Sequence, residues 1–178
     1  MTPASYRNGG PGLRIAYTVV DSPLGLLLVA ATERGVCAVS LGDDAAALED
    51  ALRREYPVSE IHREDGPLHG WVQPVVQRVF GQLPHVEVPL DIRATAFERL
   101  VWEELTRIPY GQTRSYSEIP RAIGQPGAAR AVARACSHNP VAVLIPCHRV
   151  VRQDGSMGGY KWGVARKERL LAQEKHEG

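Results

Sequence analysis

The first three apolar runs of the chain are joined by connections too short for anything but antiparallel neighbours. Arg14–Val20, Leu24–Ala31 and Gly35–Leu41 are separated by Asp21-Ser22-Pro23 and by Glu33-Arg34-Gly35, both rich in turn formers. A parallel pairing needs a crossover of about a dozen residues or more. A three-stranded antiparallel meander is therefore expected. Asp43–Glu55 then reads as a helix, with acids at its start and Leu48 and Leu52 on one face. Gly70–Leu83 reads as a second helix, with a stripe of Val72, Val75, Val76, Val79 and Phe80. His85–Asp91, with Pro84 before it and Pro89 inside it, reads as a link to a second half.

Beyond that link the apolar period becomes helical. Thr95 and Glu98 form a capping-box pattern, and Phe97, Leu100, Val101, Leu105 and Ile108 follow at helical spacing. Pro109-Tyr110-Gly111 ends the run, and Ser115 and Glu118 repeat the capping-box pattern. Gly124-Gln125-Pro126-Gly127 forms a tight turn into an alanine-rich helix, Ala128–His138. Two short helices about a glycine-containing turn fit a helix-turn-helix. Pro120 falls awkwardly near the end of the first turn, so that helix is expected to start late or to be distorted. In the second helix Arg130 and Arg134 share one face. Ala128, Ala129, Ala131, Ala133 and Ala135 would let a partner approach closely, or let the helix pack tightly within its own fold.

The expected architecture is α+β. A small three-stranded antiparallel sheet with helices occupies residues 14–90. A mostly helical domain with the helix-turn-helix occupies residues 91–178, and residues 1–13 read as a loose segment.

Composition excludes several classes. The 178 residues are 44% apolar and 23% charged, which is globular usage. No apolar run is long enough to span a bilayer, and residues 1–13 hold no apolar signal core. Cys37, Cys136 and Cys147 form no CxxC pair, which argues against a disulfide framework or an all-cysteine zinc site and for a reduced, cytoplasmic compartment. The net charge of +1 hides an asymmetry. Residues 1–90 carry 7 Lys+Arg against 11 Asp+Glu, whereas residues 91–178 carry 14 against 9. The basic half suits a polyanionic partner, although segregated solvated charge gives the same count.

The chemistry-bearing residues gather after position 139. An apolar, strand-like run, Val141–Ile145, leads into Pro146-Cys147-His148-Arg149. A thiol becomes a nucleophile as thiolate, and a histidine base can take its proton. Neighbouring residues do not face each other on a strand or a helix, so Cys147 and His148 need a turn or a bridging water to communicate. The histidine in turn calls for an acid to orient it. Gly155, Gly158 and Gly159 precede Tyr160-Lys161-Trp162-Gly163, a loop able to wrap a small ligand or merely to connect. In the terminal helix, Val164–Lys175, both Glu168 and Glu174 follow an apolar residue by four positions, and periodicity does not choose between them.

Asn139-Pro140, Ile145-Pro146-Cys147-His148-Arg149-Val150 and Gly159-Tyr160 together resemble the signature of the O6-alkylguanine-DNA alkyltransferases. The likeness extends through Ser115-Tyr116 and Ala129-Arg130-Ala131-Val132, and into Glu33-Arg34-Gly35-Val36-Cys37 of the first half. The resemblance implies direct, irreversible transfer of an alkyl group, mainly methyl, from O6 of guanine to a cysteine, each molecule acting once. O4 of thymine is a second candidate lesion.

It also implies roles for individual residues. Cys147 would accept the alkyl group, His148 would act on it through a water, and Glu174 would orient His148. Asn139 would brace the turn before the cysteine, and Tyr116 would protonate the departing guanine. Arg130 would fill the gap left by a flipped nucleotide. Ala129, Ala131 and Arg134 would accompany it on duplex DNA, bound in the minor groove without sequence specificity by a monomer. Val150, Tyr160, Lys161, Trp162 and Ala142 would form the substrate pocket, with Trp162 narrowing it against bulky groups such as benzyl. No cofactor is implied. Some relatives hold zinc in the first half, but here only Cys37 with scattered His62, His69 and His85 is present, so no metal is expected.

A non-catalytic protein that binds alkylated DNA and signals to other repair factors is the main alternative, and Cys147 argues against it. A Cys-His hydrolase would leave Arg130 and the helix-turn-helix unexplained. A plain DNA-binding regulator would leave the Pro146–Arg149 motif unexplained.

Overall fold

The computed structural model describes residues 13–66 and 68–177, which fall into two compact units divided between Arg93 and Ala94. The segment read as loose lies outside the described residues except for Leu13, which is buried.

In the first unit, β1 (Arg14–Ser22), β2 (Gly25–Ala31) and β3 (Val36–Gly42) form the expected antiparallel meander. Gly25 permits the tight β1–β2 turn by taking φ +103°. Helix α1 (Ala45–Glu55) is capped by Asp44, whose carboxylate accepts from the Ala46 N–H at 3.2 Å. It buries Leu48 and Leu52 in a cluster with Ile15, Tyr17, Leu28 and Ala30.

The sheet has four strands rather than three. β4 (Glu60–Arg63) runs parallel to β1, giving the order β3-β2-β1-β4. Its sequence, Glu-Ile-His-Arg, has one apolar residue and is mostly exposed, so no alternation marks it. Backbone bonds hold it, among them Glu60 N–H to Leu13 O at 2.9 Å and Glu64 N–H to Tyr17 O at 2.8 Å. Helix α2 (Val72–Val79) is shorter than its apolar pattern suggested and leaves Phe80 exposed. The stretch before the unit boundary is not an unattached link. Val36 N–H donates to Pro89 O at 2.8 Å, and Asp91 N–H donates to Val36 O at 2.9 Å. Gly35 makes this approach possible, since a Cβ there would stand 2.5 Å from Pro89 O.

In the second unit, α3 (Ala96–Thr106) begins with the expected reciprocal capping box. Glu98 N–H donates to Thr95 Oγ1 at 3.1 Å, and Thr95 N–H donates to Glu98 Oε1 at 3.0 Å. Its buried face is Val101, Trp102 and Leu105, continued by Ile108, while Leu100 turns outward. Trp102 explains the rotated face: its Nε1–H donates to Ala135 O at 2.9 Å, tying α3 to a later helix. β5 (Arg114–Ser115) pairs in parallel with β6 (Val150–Val151). Helix α4 (Glu118–Ala122) places Pro120 in its first turn, where a missing N–H forfeits no intrahelical bond. The following turn leads into α5 (Ala129–Ser137), and α6 (Val164–Glu177) closes the unit.

Val141–Ile145 is not a strand. It is a compact buried turn with Leu144 N–H on Ala142 O at 2.8 Å and Val143 at φ +69°. The run is apolar because it is enclosed, and enclosure reads in sequence as extension does. A β-branched residue at positive φ is strained, so the surroundings must hold it there.

Thr95→Ala removes one half of the α3 capping box. Its urea-unfolding free energy should fall by about 1 kcal/mol, and Thr95→Ser should recover most of that loss.

Candidate active site

The site grows from a 3₁₀ turn, Cys147–Arg149, that follows the strained loop and runs straight into β6. All three side chains of this turn are buried. Within this turn Cys147 and His148 meet different partners, Asn139 at the sulfur and Glu174 at the imidazole.

Asn139 governs the cysteine. It is fully buried just beyond α5, and its amide reaches three points. Nδ2 donates to Ile145 O at 2.9 Å and to Cys147 Sγ at 3.3 Å, while Oδ1 accepts from Val141 N–H at 2.9 Å. One side chain thus closes the loop and delivers a donor to the sulfur. Burial raises the Cys147 pKa. The Asn139 bond and the charges of Lys167 and Lys161 work in the opposite direction without overcoming it. The Cys147 sulfur is therefore held as a thiol rather than a thiolate.

His148 is held by Glu174 through Nε2, at 3.0 and 3.1 Å to the two carboxylate oxygens. Arg149 Nε donates to the same carboxylate at 2.7 Å, and Arg149 Nη1 donates to Ile108 O at 2.8 Å. Burial opposes the Glu174 charge, but the bonds from His148 and Arg149 outweigh it and hold this carboxyl at about 2. An ionised carboxylate can only accept, so Nε2 carries hydrogen, and in the neutral ring Nδ1 is the basic nitrogen.

Helix α6 brings Glu174, and not Glu168, against His148. Lys167, Leu170 and Glu174 form its buried face, and Glu168 is exposed. Lys167 is a site residue that sequence reading missed. It is fully buried and donates to Val150 O at 2.6 Å, to Gly159 O at 3.1 Å and to Met157 O. Its ammonium also lies 5.7 Å from the Tyr116 ring centroid. Its signal was available, since it lies three residues before Leu170 and seven before Glu174. Buried lysines are rare enough that the pattern reads as solvated charge.

Cys147 opens into a cavity of about 440 Å³. Tyr116 and Cys136 share its wall, with Ala133 and Ser137 from α5 and Gly158 and Gly159 from the loop. Tyr116 is placed by the β5–β6 pairing, with its N–H on Val151 O at 3.0 Å. Burial pushes its hydroxyl up to about 12. Gly158, at φ +69°, admits the ring edge, since a Cβ there would lie 3.0 Å from Tyr116 Cε2.

Of the expected pocket residues, Tyr160 and Lys161 line this cavity, whereas Val150, Ala142 and Trp162 are buried outside its wall. Trp162 stands edge-on behind Tyr160, ring centroids 5.3 Å apart, because the loop turns its indole toward the protein interior. Lys161 donates to Asn139 O at 2.9 Å. On α5, Ala129, Arg130 and Arg134 are exposed with Ala133 and Ser137, while Ala131 is half-buried. Among the described residues no group of three His, Cys, Asp or Glu is arranged to hold a metal. No described helix is long and apolar enough to cross a membrane.

Comparison with known proteins matches residues 15–92 to the 6-O-methylguanine DNA methyltransferase ribonuclease-like domain and residues 96–176 to the DNA-binding domain of the same name. Over 174 residues, 98% of its length, the chain is 45% identical to the bifunctional transcriptional activator/DNA repair enzyme Ada of Escherichia coli. It spans 49% of that relative, about half its length. It is 40% identical over 163 residues to the methylated-DNA–protein-cysteine methyltransferase of Mycolicibacterium paratuberculosis, covering 90% of this chain and 93% of that one. The crystal structure of Mycobacterium tuberculosis OGT in complex with DNA superposes with a TM-score of 0.75 at 36% identity, covering 92% of this chain and 94% of that one.

The depressed Glu174 pKa sets an acid limit on stability. Its contribution is complete above the ordinary carboxylate value of about 4.3 and is lost as pH falls toward 2. Wild-type unfolding free energy should therefore drop by a few kcal/mol over that window more than that of Glu174→Gln. Parallel curves for the two proteins would refute the assignment.

Proposed function

Since the chain belongs to the 6-O-methylguanine DNA methyltransferase family, we propose that it repairs duplex DNA by moving an alkyl group, mainly methyl, from O6 of guanine onto Cys147. The observation that carries this reading is one cavity. Its wall holds Cys147 together with residues of the helix whose outer face is alanines and exposed arginines.

A cavity of about 440 Å³ takes a base and excludes a duplex, so the nucleotide must leave the stack. Extrusion costs a few kcal/mol. Arg130, exposed on α5, offsets part of that cost by entering the vacated place. Small neighbours, Ala129 and Ala131, let the helix approach closely, which suits a narrow minor groove and no base readout. Arg134 adds a phosphate contact. The acting species is a monomer, and its thiol chemistry suits the reducing cytoplasm.

In the transfer, the Cys147 sulfur attacks the methyl carbon as the carbon–O6 bond breaks, and the bonding electrons leave with guanine. The thiol proton passes through a water to Nδ1 of His148, where Glu174 stabilises the resulting imidazolium. Tyr116 supplies a proton to the departing guanine. A phenol held near 12 keeps that proton until guanine demands it. Return of the His148 proton to Tyr116 through solvent leaves guanine and a cysteine thioether as net products. A thioether has no leaving group that water can displace at neutral pH, so each chain acts once.

Two tests follow. Incubation with O6-methylguanine duplex should add about 14 Da, the mass of one CH₂, to the tryptic peptide containing Cys147. Cys147→Ser should abolish that gain while retaining DNA binding. Cys37, buried in β3 with its thiol pushed up to about 12, and Cys136 should not take over. Alkylation of either at the wild-type rate would overturn the reading. Arg130→Ala should slow repair in duplex far more than transfer from O6-methylguanine base. Equal slowing would mean that Arg130 acts on folding or on the chemistry.

A further inference from the structure

We propose that Arg152 binds a phosphate flanking the extruded nucleotide and so positions the alkylated base at Cys147; the proposal rests on the function argued above. The cavity is short of counter-charge in an informative way. Among the described residues that line it none is acidic, and two are cationic, Lys161 and Arg152. Lys161 is engaged within the fold, its ammonium on Asn139 O at 2.9 Å and 5.1 Å from the Trp162 ring. Arg152 is exposed while lining the cavity, so it stands at the mouth.

No carboxylate among the described residues forms an ion pair with Arg152. The nearest acid in sequence, Asp154, feels the Arg152 charge without bonding to it, and its carboxylate accepts the Ser156 N–H at 2.9 Å and hydroxyl at 2.6 Å. The guanidinium is nonetheless presented on fixed backbone. β6 ends at Val151, and a turn closes with Arg152 N–H on Ser156 O and Gly155 N–H on Arg152 O, both at 2.9 Å. Gly155 at φ +86° completes that turn.

A neutral guanine in the cavity needs no cation at its mouth. The phosphodiester that must follow it there does, and a guanidinium fork matches phosphate oxygens in pairs. Arg130, on α5, and Arg152, on the loop, then divide the work. The first occupies the space the base leaves, and the second holds the backbone of the nucleotide that has moved.

The test uses the full chain, with Arg152→Ala and Arg152→Lys, on three substrates. These are an O6-methylguanine duplex, the same duplex with a neutral methylphosphonate 5′ or 3′ of the lesion, and O6-methylguanine base. Arg152→Ala should slow transfer from the duplex by about tenfold and flatten the log–log salt dependence by about one unit. Arg152→Lys should restore most of the rate, and transfer from the base should not change. One of the two neutral linkages should slow the wild type to the rate of Arg152→Ala, which that linkage then slows no further. Equal slowing on duplex and base, an unchanged duplex rate, or additive losses at both linkages would overturn the proposal. A wild-type chain inert toward the duplex would remove the functional reading itself, and the proposal with it.

Discussion

The Glu174 carboxylate is the point from which the second unit's active centre hangs. It receives His148 and Arg149, which are adjacent in sequence, from a single buried position on α6. Two neighbouring side chains can converge on one acceptor only if their backbone is tightly turned, and the Cys147–Arg149 stretch is a 3₁₀ turn. Arg149 also reaches Ile108 O beyond the end of α3, so the same carboxylate secures the turn, the terminal helix and the end of an earlier helix. A charge buried this deeply is costly unless every oxygen is engaged, and breaking such a pair costs about 3–5 kcal/mol. The interaction that fixes the His148 ring therefore also holds the site together. Loss of activity on removing Glu174 cannot by itself be assigned to chemistry, and an isosteric glutamine is the informative change.

A second, smaller device works on the other side of the sulfur. Asn139 holds a turn in which Val143 sits at φ +69°, and it presents Nδ2 to Cys147. Strain of this kind, of order 1–3 kcal/mol, persists only where the surroundings fix it. Here three hydrogen bonds from one amide and complete burial of Val141 and Ala142 supply that constraint. The sulfur is therefore aimed by backbone geometry, while its protonation state is set by burial. Burial keeps it a thiol, the form less open to adventitious oxidation.

The legible and illegible parts of the fold divide along physical lines. The meander was readable because turn chemistry and short connections leave no other pairing. The α3 capping box was readable because it is a local hydrogen-bond pattern with fixed spacing. β4 was not, because its pairing is made by backbone groups that every sequence possesses. Val141–Ile145 was misread because periodicity reports burial, and a fully enclosed turn is as apolar as a central strand. Glu168 and Glu174 were indistinguishable by period alone. What separates them is the partner each meets: Glu174 meets His148 and Arg149, and Glu168 meets solvent. Lys167 escaped notice for the same reason, since its partners are backbone carbonyls of a glycine-bearing loop.

Trp162 shows how far a loop's sequence constrains its site. The neighbouring Tyr160 and Lys161 line the cavity, but the indole faces inward, edge-on to Tyr160 and bonded through its own carbonyl to Arg166. A loop alternates its side chains with no period that sequence can fix, so the order Tyr-Lys-Trp says little about which ring meets a ligand. The indole's influence on the cavity is then indirect: it backs the Tyr160 ring and sets how far that ring can yield. The Tyr160 side of the cavity is therefore shaped by what packs behind it as well as by the residues on its wall. In this protein that backing is buried aromatic packing, anchored to the first turn of the helix that carries Lys167 and Glu174.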